Sequence, residues 1–364
     1  MRVRAVDAEV LRLWAGWRLG VAVLGAATAG LLHAGERGYG WADRWGHWDV
    51  VHLVGVARDG YVGDPTGVPN EAFLPGVPLL MRLGSTLGVS EVATGVLVSA
   101  VASLVAAVAL GRLAERAVPG SARWAVLVWL VAPTSIFLAA PYTEALFLAL
   151  ALPAWLAAQD RRWWLAGTLT ALAVSVRVSG LFLVAALAVL WWTQRPRATR
   201  QVLWLALPAV PVAVIVLAQH AATGSWMAWL DAQRSSEWSR SARPPWQTVQ
   251  NTWQAAFGES VGAGYVWPFR LEFVAVVVGV VTVVWCVRRR WWPEATYVGL
   301  SVAAFSFSYW FLSVPRAALL WWPTWVGVAV LIGSRPWLRA LWLGGSGALA
   351  AAWAIAFFSG GWAG

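Results

Sequence analysis

The sequence predicts an all-α, polytopic membrane protein, and three observations carry that reading. Of 364 residues, 60% are hydrophobic and 12% charged, with a mean hydropathy of +0.63, outside the range of soluble chains. Charged residues recur between apolar runs, as loop charges do, so the formal charge of +10 forms no basic stripe for nucleic acid. Many of the 30 Trp flank those runs, as at Trp163, Trp164, Trp191, Trp192, Trp291 and Trp292, the arrangement of an interfacial aromatic belt. Membrane lipids are therefore expected partners and nucleic acid is not. All 27 basic residues are Arg, which with abundant Ala, Val and Leu points to a GC-rich bacterial genome and a bacterial cell membrane. Cys286 stands alone in an apolar run, so neither a disulfide nor a thiolate metal site is expected.

Taken in order, Arg2, Arg4 and Arg12 precede an apolar stretch of about 20 residues without a small-residue cleavage site, which reads as a retained anchor. Apolar segments near 10–33, 89–112, 124–140 and 142–158 follow one another through the first half. Others lie near 163–176, 178–193, 202–221, 270–287, 293–312, 317–334 and 338–358, giving a bundle of about eleven transmembrane helices in one integral domain, 1–364. Alternating them from a cytoplasmic N-terminus collects Arg112/Arg116/Arg123, Arg161/Arg162, Arg195/Arg197/Arg200, Arg288/Arg289/Arg290 and Arg335/Arg339 on one side. That arrangement satisfies the positive-inside rule.

The opposite, non-cytoplasmic side then receives two long loops, 34–88 and 222–269. They hold Asp43, Asp49, Asp59, Asp64, Glu71, Asp231, Glu237 and Glu259, and loops of this length are usually functional. Phe73 to Leu87, with Pro75 and Pro78 near its start, is too interrupted to span and reads as re-entrant or interfacial. No 20–50-residue repeat and no duplication of the two halves is visible, which disfavours a transporter without removing it as an alternative.

Four stretches carry candidate chemistry. In His47-Trp48-Asp49-Val50-Val51-His52, a helix from Asp49 to Arg58 sets Asp49 and His52 at i and i+3 on one face. A carboxylate and an imidazole there can address one hydroxyl as base and orienting partner, or the pair belongs to a solvated amphipathic helix. Tyr61 and Glu71 lie in the same loop. Glu144, in Pro141-Tyr142-Thr143-Glu144, opens an apolar helix, where the macrodipole stabilises it or it faces an outer cavity beside Tyr142. Arg177, in Ser175-Val176-Arg177-Val178-Ser179-Gly180, and Arg316, in Ser313-Val314-Pro315-Arg316, are single cations beside apolar helices. Each suits a lipid phosphate or snorkels to headgroups. No metal is implied: the Asp/His pair can touch a divalent ion, but no third ligand is evident by spacing, and no P-loop, GxGxxG, HExxH or GxSxG pattern stands in its usual context.

These stretches, in this order, resemble the PIG-V mannosyltransferase family and its bacterial relatives. The resemblance runs through Trp48-Asp49-Val50-Val51-His52, Ala57-Arg58-Asp59-Gly60-Tyr61 and Ala72-Phe73-Leu74-Pro75-Gly76-Val77-Pro78. It continues through Pro133, Tyr142-Thr143-Glu144-Ala145-Leu146-Phe147 and Arg177-Val178-Ser179-Gly180, where Ser179 replaces the family's Asn, and covers 41–180 well. It implies the wider GT-C class: a helical bundle with amphipathic helices in the first outer loop, and 34–88 as the catalytic loop. It also implies an inverting transfer of mannose from a polyprenyl-phosphate donor to a lipid-linked glycolipid acceptor on the non-cytoplasmic face, forming an α-linkage of the α-1,6 type. No cofactor is required. Asp49 is then the base, His52 its neighbour and Arg177 a donor-phosphate contact, with Arg316 a second and His47, Tyr61, Glu71, Tyr142 and Glu144 further site candidates. Alternatives are transfer of another polyprenyl-phosphate sugar and transport of a lipid or sugar.

Overall fold

The computed structural model describes residues 2–32, 40–61, 69–194, 200–235, 238–258 and 263–361; Asp64, Arg195, Arg197, Glu237 and Glu259 lie outside them. The described residues are helical with no strand. After α1 (Arg2–Leu32) the first long loop carries two helices, α2 (Asp49–Asp59) and α3 (Gly76–Thr86), as expected for that loop. The bundle continues through α4 (Glu91–Ala117), α5 (Ala122–Leu130), α6 (Thr143–Gln159), α7 (Trp163–Val176), α8 (Ser179–Thr193) and α9 (Ala209–Thr223). The second long loop holds α10 (Ala228–Arg234) and α11 (Pro245–Phe257). Then come α12 (Ala263–Arg288), α13 (Trp292–Ser306), α14 (Val314–Ala317), α15 (Trp322–Gly333) and α16 (Pro336–Phe358).

Five described helices are long and apolar enough to cross a membrane: Asp7–Leu32, Glu91–Ala117, Gln201–Thr223, Val266–Arg288 and Pro336–Phe358. Val314–Leu320 and Trp322–Gly333 make a sixth if counted as one broken span, bent by 83°. The expected segments at 142–158, 163–176 and 178–193 are shorter apolar helices. Others are interrupted. Between α5 and α6, where one segment was expected over 124–140, Pro133 lacks the N–H that would continue the ladder, and only a 3-10 turn, Ser135–Leu138, follows. The segment expected over 293–312 ends at Ser306. Pro323 breaks the one expected over 317–334. Irregular backbone at such depth is tolerated where protein covers it, and Ile136 to Ala140 are all buried.

Charge pairs show which ends of the helices meet. At one end Arg112 pairs with Asp7 at 2.7 Å, Arg123 with Glu9 at 3.2 Å, and Arg116 with Asp160, just past α6, at 2.8 Å. At the other end Glu91, opening α4, holds Arg58 of α2 at 2.9 Å. Glu144, opening α6, holds Arg177, just past α7, at 2.6 Å. Thus α4 and α6 run in one direction and α7 returns. Arg112, Arg116 and Arg123 therefore lie at one end of the bundle, and α2 and the Arg177 corner at the other.

Close packing at the loop end depends on two glycines. A Cβ on Gly180 would stand 2.7 Å from the Val174 Cα, and one on Gly76 would stand 2.9 Å from the Ser175 carbonyl oxygen. The first lets α8 fold back on α7 immediately after Arg177, and the second seats α3 on that corner. Gly180→Val is expected to lower stability by about 1–3 kcal/mol through overpacking, read as a fall in melting temperature of the detergent-solubilised protein, while Gly16→Val, in open space on α1, leaves it unchanged.

Candidate active site

Asp49 begins α2 after Trp48, whose φ of 56° is unusual for a residue with a side chain. The Trp48 indole donates to the Gly361 carbonyl at 3.0 Å, tying this turn to the end of α16. Arg316 stands in α14 after Ser313, whose φ is 64°. Two groups hold that second turn. The Glu272 carboxylate, inside α12, accepts from the Ser313 and Val314 amides at 2.7 and 2.8 Å, and the Thr134 hydroxyl donates to the Pro315 carbonyl at 3.0 Å. Non-glycine residues in such backbone cost about 1–3 kcal/mol each and persist only where their surroundings over-determine them. Here the two strained turns present one carboxylate and one guanidinium to each other.

The Arg316 Nη2 lies 2.7 Å from the Asp49 carboxylate. Its Nε donates to Glu144, whose same oxygen accepts from Arg177 at 2.6 Å; Arg177 also donates to the Thr143 hydroxyl. One fully buried carboxylate therefore bridges two guanidiniums from distant parts of the chain, and one of these reaches on to Asp49. Arg316 also lies over the Tyr142 and Phe137 rings, 4.8 and 5.2 Å from their centroids. The second Glu144 oxygen, Oε2, is buried with no hydrogen-bond partner among the described residues. Such an atom calls for a donor.

The other expected residues surround this network. Tyr142 donates to the His47 carbonyl at 3.4 Å, and the His47 ring packs edge-on against Phe357. His52, expected to act with Asp49, instead stacks on Phe73 at 5.3 Å and meets Trp238 edge-on. Tyr61 donates to the Phe73 carbonyl at 2.9 Å, and burial pushes its hydroxyl up to about 12 despite a lowering hydrogen bond with Gln219. The backbone carbonyl of Glu71 accepts from Gln219, while the Glu71 side chain takes no part in the ion network. Among the described residues no three His, Cys, Asp or Glu side chains converge as metal ligands.

The two loops form one roof. Trp238 donates to the Pro69 carbonyl and Gln233 to the Ala72 carbonyl, drawing the second loop onto the first. This brings in Arg240, which sequence reasoning did not select. Its guanidinium makes no ion pair or hydrogen bond among the described residues, and it is held down to about 10, first by burial and then by the neighbouring Arg316 and Arg177 charges, against the opposing pull of Asp49 and Glu272. Glu272 was missed as well. A lone acid inside the apolar run 270–287 was the available signal.

A charge-paired cluster at one end of an apolar helical bundle, roofed by two loops, defines a polytopic membrane protein. Residues 30–197 match the model of the family Mannosyltransferase (PIG-V). The chain is also similar to GPI alpha-1,6-mannosyltransferase 2 of Mus musculus and of Rattus norvegicus, each 36% identical over 146 residues, and of Homo sapiens, 36% identical over 148. Each alignment covers 37% of this chain and 29% of the relative's length. No solved structure matches. The family match contains Asp49, Glu144 and Arg177; Arg240, Glu272 and Arg316 lie beyond it.

Removing one partner of a buried pair leaves an uncompensated charge, at a cost of about 3–5 kcal/mol. Arg316→Gln is therefore expected to lower thermal stability strongly. Arg58→Gln, at an ion pair whose Arg is 60% exposed, should change it by no more than about 1 kcal/mol. Equal melting temperatures for these two variants in detergent would contradict the bridging role of Glu144.

Proposed function

We propose that the protein is a mannosyltransferase that moves mannose from a polyprenyl-phosphate-linked donor to a membrane glycolipid acceptor, with inversion, at the non-cytoplasmic face. The observation that carries the reading is the Asp49–Arg316 pair, with Asp49 inside the stretch that matches the family and Arg240, which pairs with no carboxylate among the described residues, within electrostatic reach of both. A base, a cation already engaged with it and a second cation without a carboxylate are what transfer from a phosphate leaving group needs. The Arg-rich turns at the opposite end support an extracytoplasmic site, since such turns face the cytoplasm.

In the proposed reaction the acceptor hydroxyl oxygen attacks the anomeric carbon as the bond from that carbon to the phosphate oxygen breaks. The hydroxyl proton passes to Asp49. The bonding pair leaves with polyprenyl phosphate, and inversion converts a β-linked donor into an α-linked product, of the α-1,6 type by analogy with the similar mammalian enzymes. Donor phosphate entering beside Arg240 and Arg316 competes with Asp49 for Arg316. Loosening that pair frees the Asp49 carboxylate to accept the hydrogen bond of the acceptor hydroxyl. Arg240, Arg316 and Arg177 then face the charge that develops on the departing phosphate.

With purified protein, a synthetic acceptor glycolipid and polyprenyl-phosphate mannose, Asp49→Asn is expected to lower turnover by about 10²–10⁴-fold at a temperature where the variant remains folded. Retention of full transfer by this variant sinks the assignment of the base. Polyprenyl-phosphate glucose and arabinose serve as competing donors: product from either at the rate of mannose contradicts the sugar assignment. Arg240→Gln should lower kcat/KM for the donor by at least about tenfold, as expected for loss of a charge-assisted contact, and leave KM for the acceptor unchanged.

A further inference from the structure

Two other guanidiniums lie outside the ion network just described. Arg18 sits within the span Asp7–Leu32, where an unpaired cation is costly. It donates to the Ala139 carbonyl at 3.1 Å and the Val96 carbonyl at 3.2 Å, and among the described residues no carboxylate pairs with it. Val96 is in the second turn of α4, counted from Glu91, so Arg18 lies at the level of the roofed end of the bundle. Arg44, in the turn that follows α1, has a buried Nε without a partner. Asp43, its chain neighbour, accepts from the Gly40 amide.

Both Arg residues line a single cavity of about 160 Å³, together with Ala22, Ala26, Trp41 and Val96. Trp45 and Phe358, ring centroids 4.9 Å apart, also line it, and Leu19 and Val23 beside its α1 lining are exposed. Two cations together with small apolar residues of α1 and indole rings describe a receptor for a charged head on a hydrocarbon chain. Neither a neutral lipid nor water compensates two guanidiniums in a low-dielectric setting. A phosphate does, by accepting from both.

We propose that this cavity binds the phosphate of an anionic glycerophospholipid from the leaflet on the roofed side, with an acyl chain lying along Ala22 and Ala26 of α1. The site is separate from the Asp49–Arg316 network, and its occupancy does not rest on the transfer reading. An aromatic layer lies between the two: Trp45 meets Phe357, and Phe357 meets Tyr142, the ring beneath Arg316. The bound lipid thus becomes part of the wall that supports the candidate active site.

Native mass spectrometry of the detergent-purified full chain, titrated with phosphatidylglycerol or phosphatidylcholine, tests the assignment. The expected result is one retained phosphatidylglycerol, bound at least about tenfold more tightly than phosphatidylcholine, as follows from a charge-assisted contact, together with a melting temperature that rises with phosphatidylglycerol concentration. Arg44→Gln should weaken retention by at least about tenfold. Ala22→Trp, an exposed lining position on α1, should abolish retention by filling the cavity while keeping both cations. Arg12→Gln, exposed on the same helix, should bind as the parent does. Equal retention of both lipids, unchanged binding by Arg44→Gln and Ala22→Trp, or displacement of the lipid by millimolar inorganic phosphate overturns the proposal.

Discussion

The candidate site depends on the carboxylate of Glu144, which is fully buried and shared between Arg177 and Arg316. A buried carboxylate is costly unless its charge is met, and each guanidinium is costly in the same way. Their mutual compensation ties three helix ends together: the start of α6, the corner after α7 and the short helix α14. Asp49 is the outer member of that network. Its carboxylate, 21% exposed against 0% for Glu144, is the one that substrate can reach.

The helices around this network are short because the network occupies their ends. Breaks at Pro133 and Pro323 interrupt hydrogen-bond ladders that lipid could not replace, but protein packs against them and side chains satisfy their backbone groups. Thr134 bonds the Pro315 carbonyl, Ser99 the Ala140 carbonyl and Trp129 the Leu319 carbonyl. These contacts join residues 41–190 positions apart, so the broken segments support each other across the bundle. Long apolar spans such as α4, α12 and α16 present exposed Leu97, Val101, Val277, Val281 and Leu341 to the surrounding lipid.

This division also sets what could be read in the sequence. Apolar runs, loop arginines and the acid-rich loops were legible because each is a local pattern. Asp49, Glu144, Arg177 and Arg316 each stood out as a charge beside apolar sequence, yet their pairing was not visible. Arg177 and Arg316 read as free cations awaiting phosphate, whereas the structure gives both a carboxylate partner, one of them from 172 residues away. Arg240 was hidden for the opposite reason. Among Arg234, Arg240 and Arg243 nothing local distinguishes it, and only the docking of the second loop over the first, through Gln233 and Trp238, brings it near Asp49. His52 shares α2 with Asp49 as the i, i+3 spacing required, but the aromatic pair Phe73 and Trp238 takes its ring.

The charges around the site comprise three carboxylates, Asp49, Glu144 and Glu272, and three guanidiniums, Arg177, Arg240 and Arg316. Its members are unevenly committed: Glu272 to a backbone turn, Glu144 to two cations, Asp49 to one, and Arg240 to no carboxylate among the described residues. On the transfer reading this unevenness has a chemical consequence. An empty site holds its proposed base on Arg316, so the Asp49 carboxylate is engaged when no substrate is present. A donor phosphate that accepts from Arg316 competes with Asp49 for that guanidinium and releases the carboxylate toward the acceptor hydroxyl. The same pairing that compensates the buried charges in the absence of substrate thus keeps Asp49 occupied until a leaving group is in place.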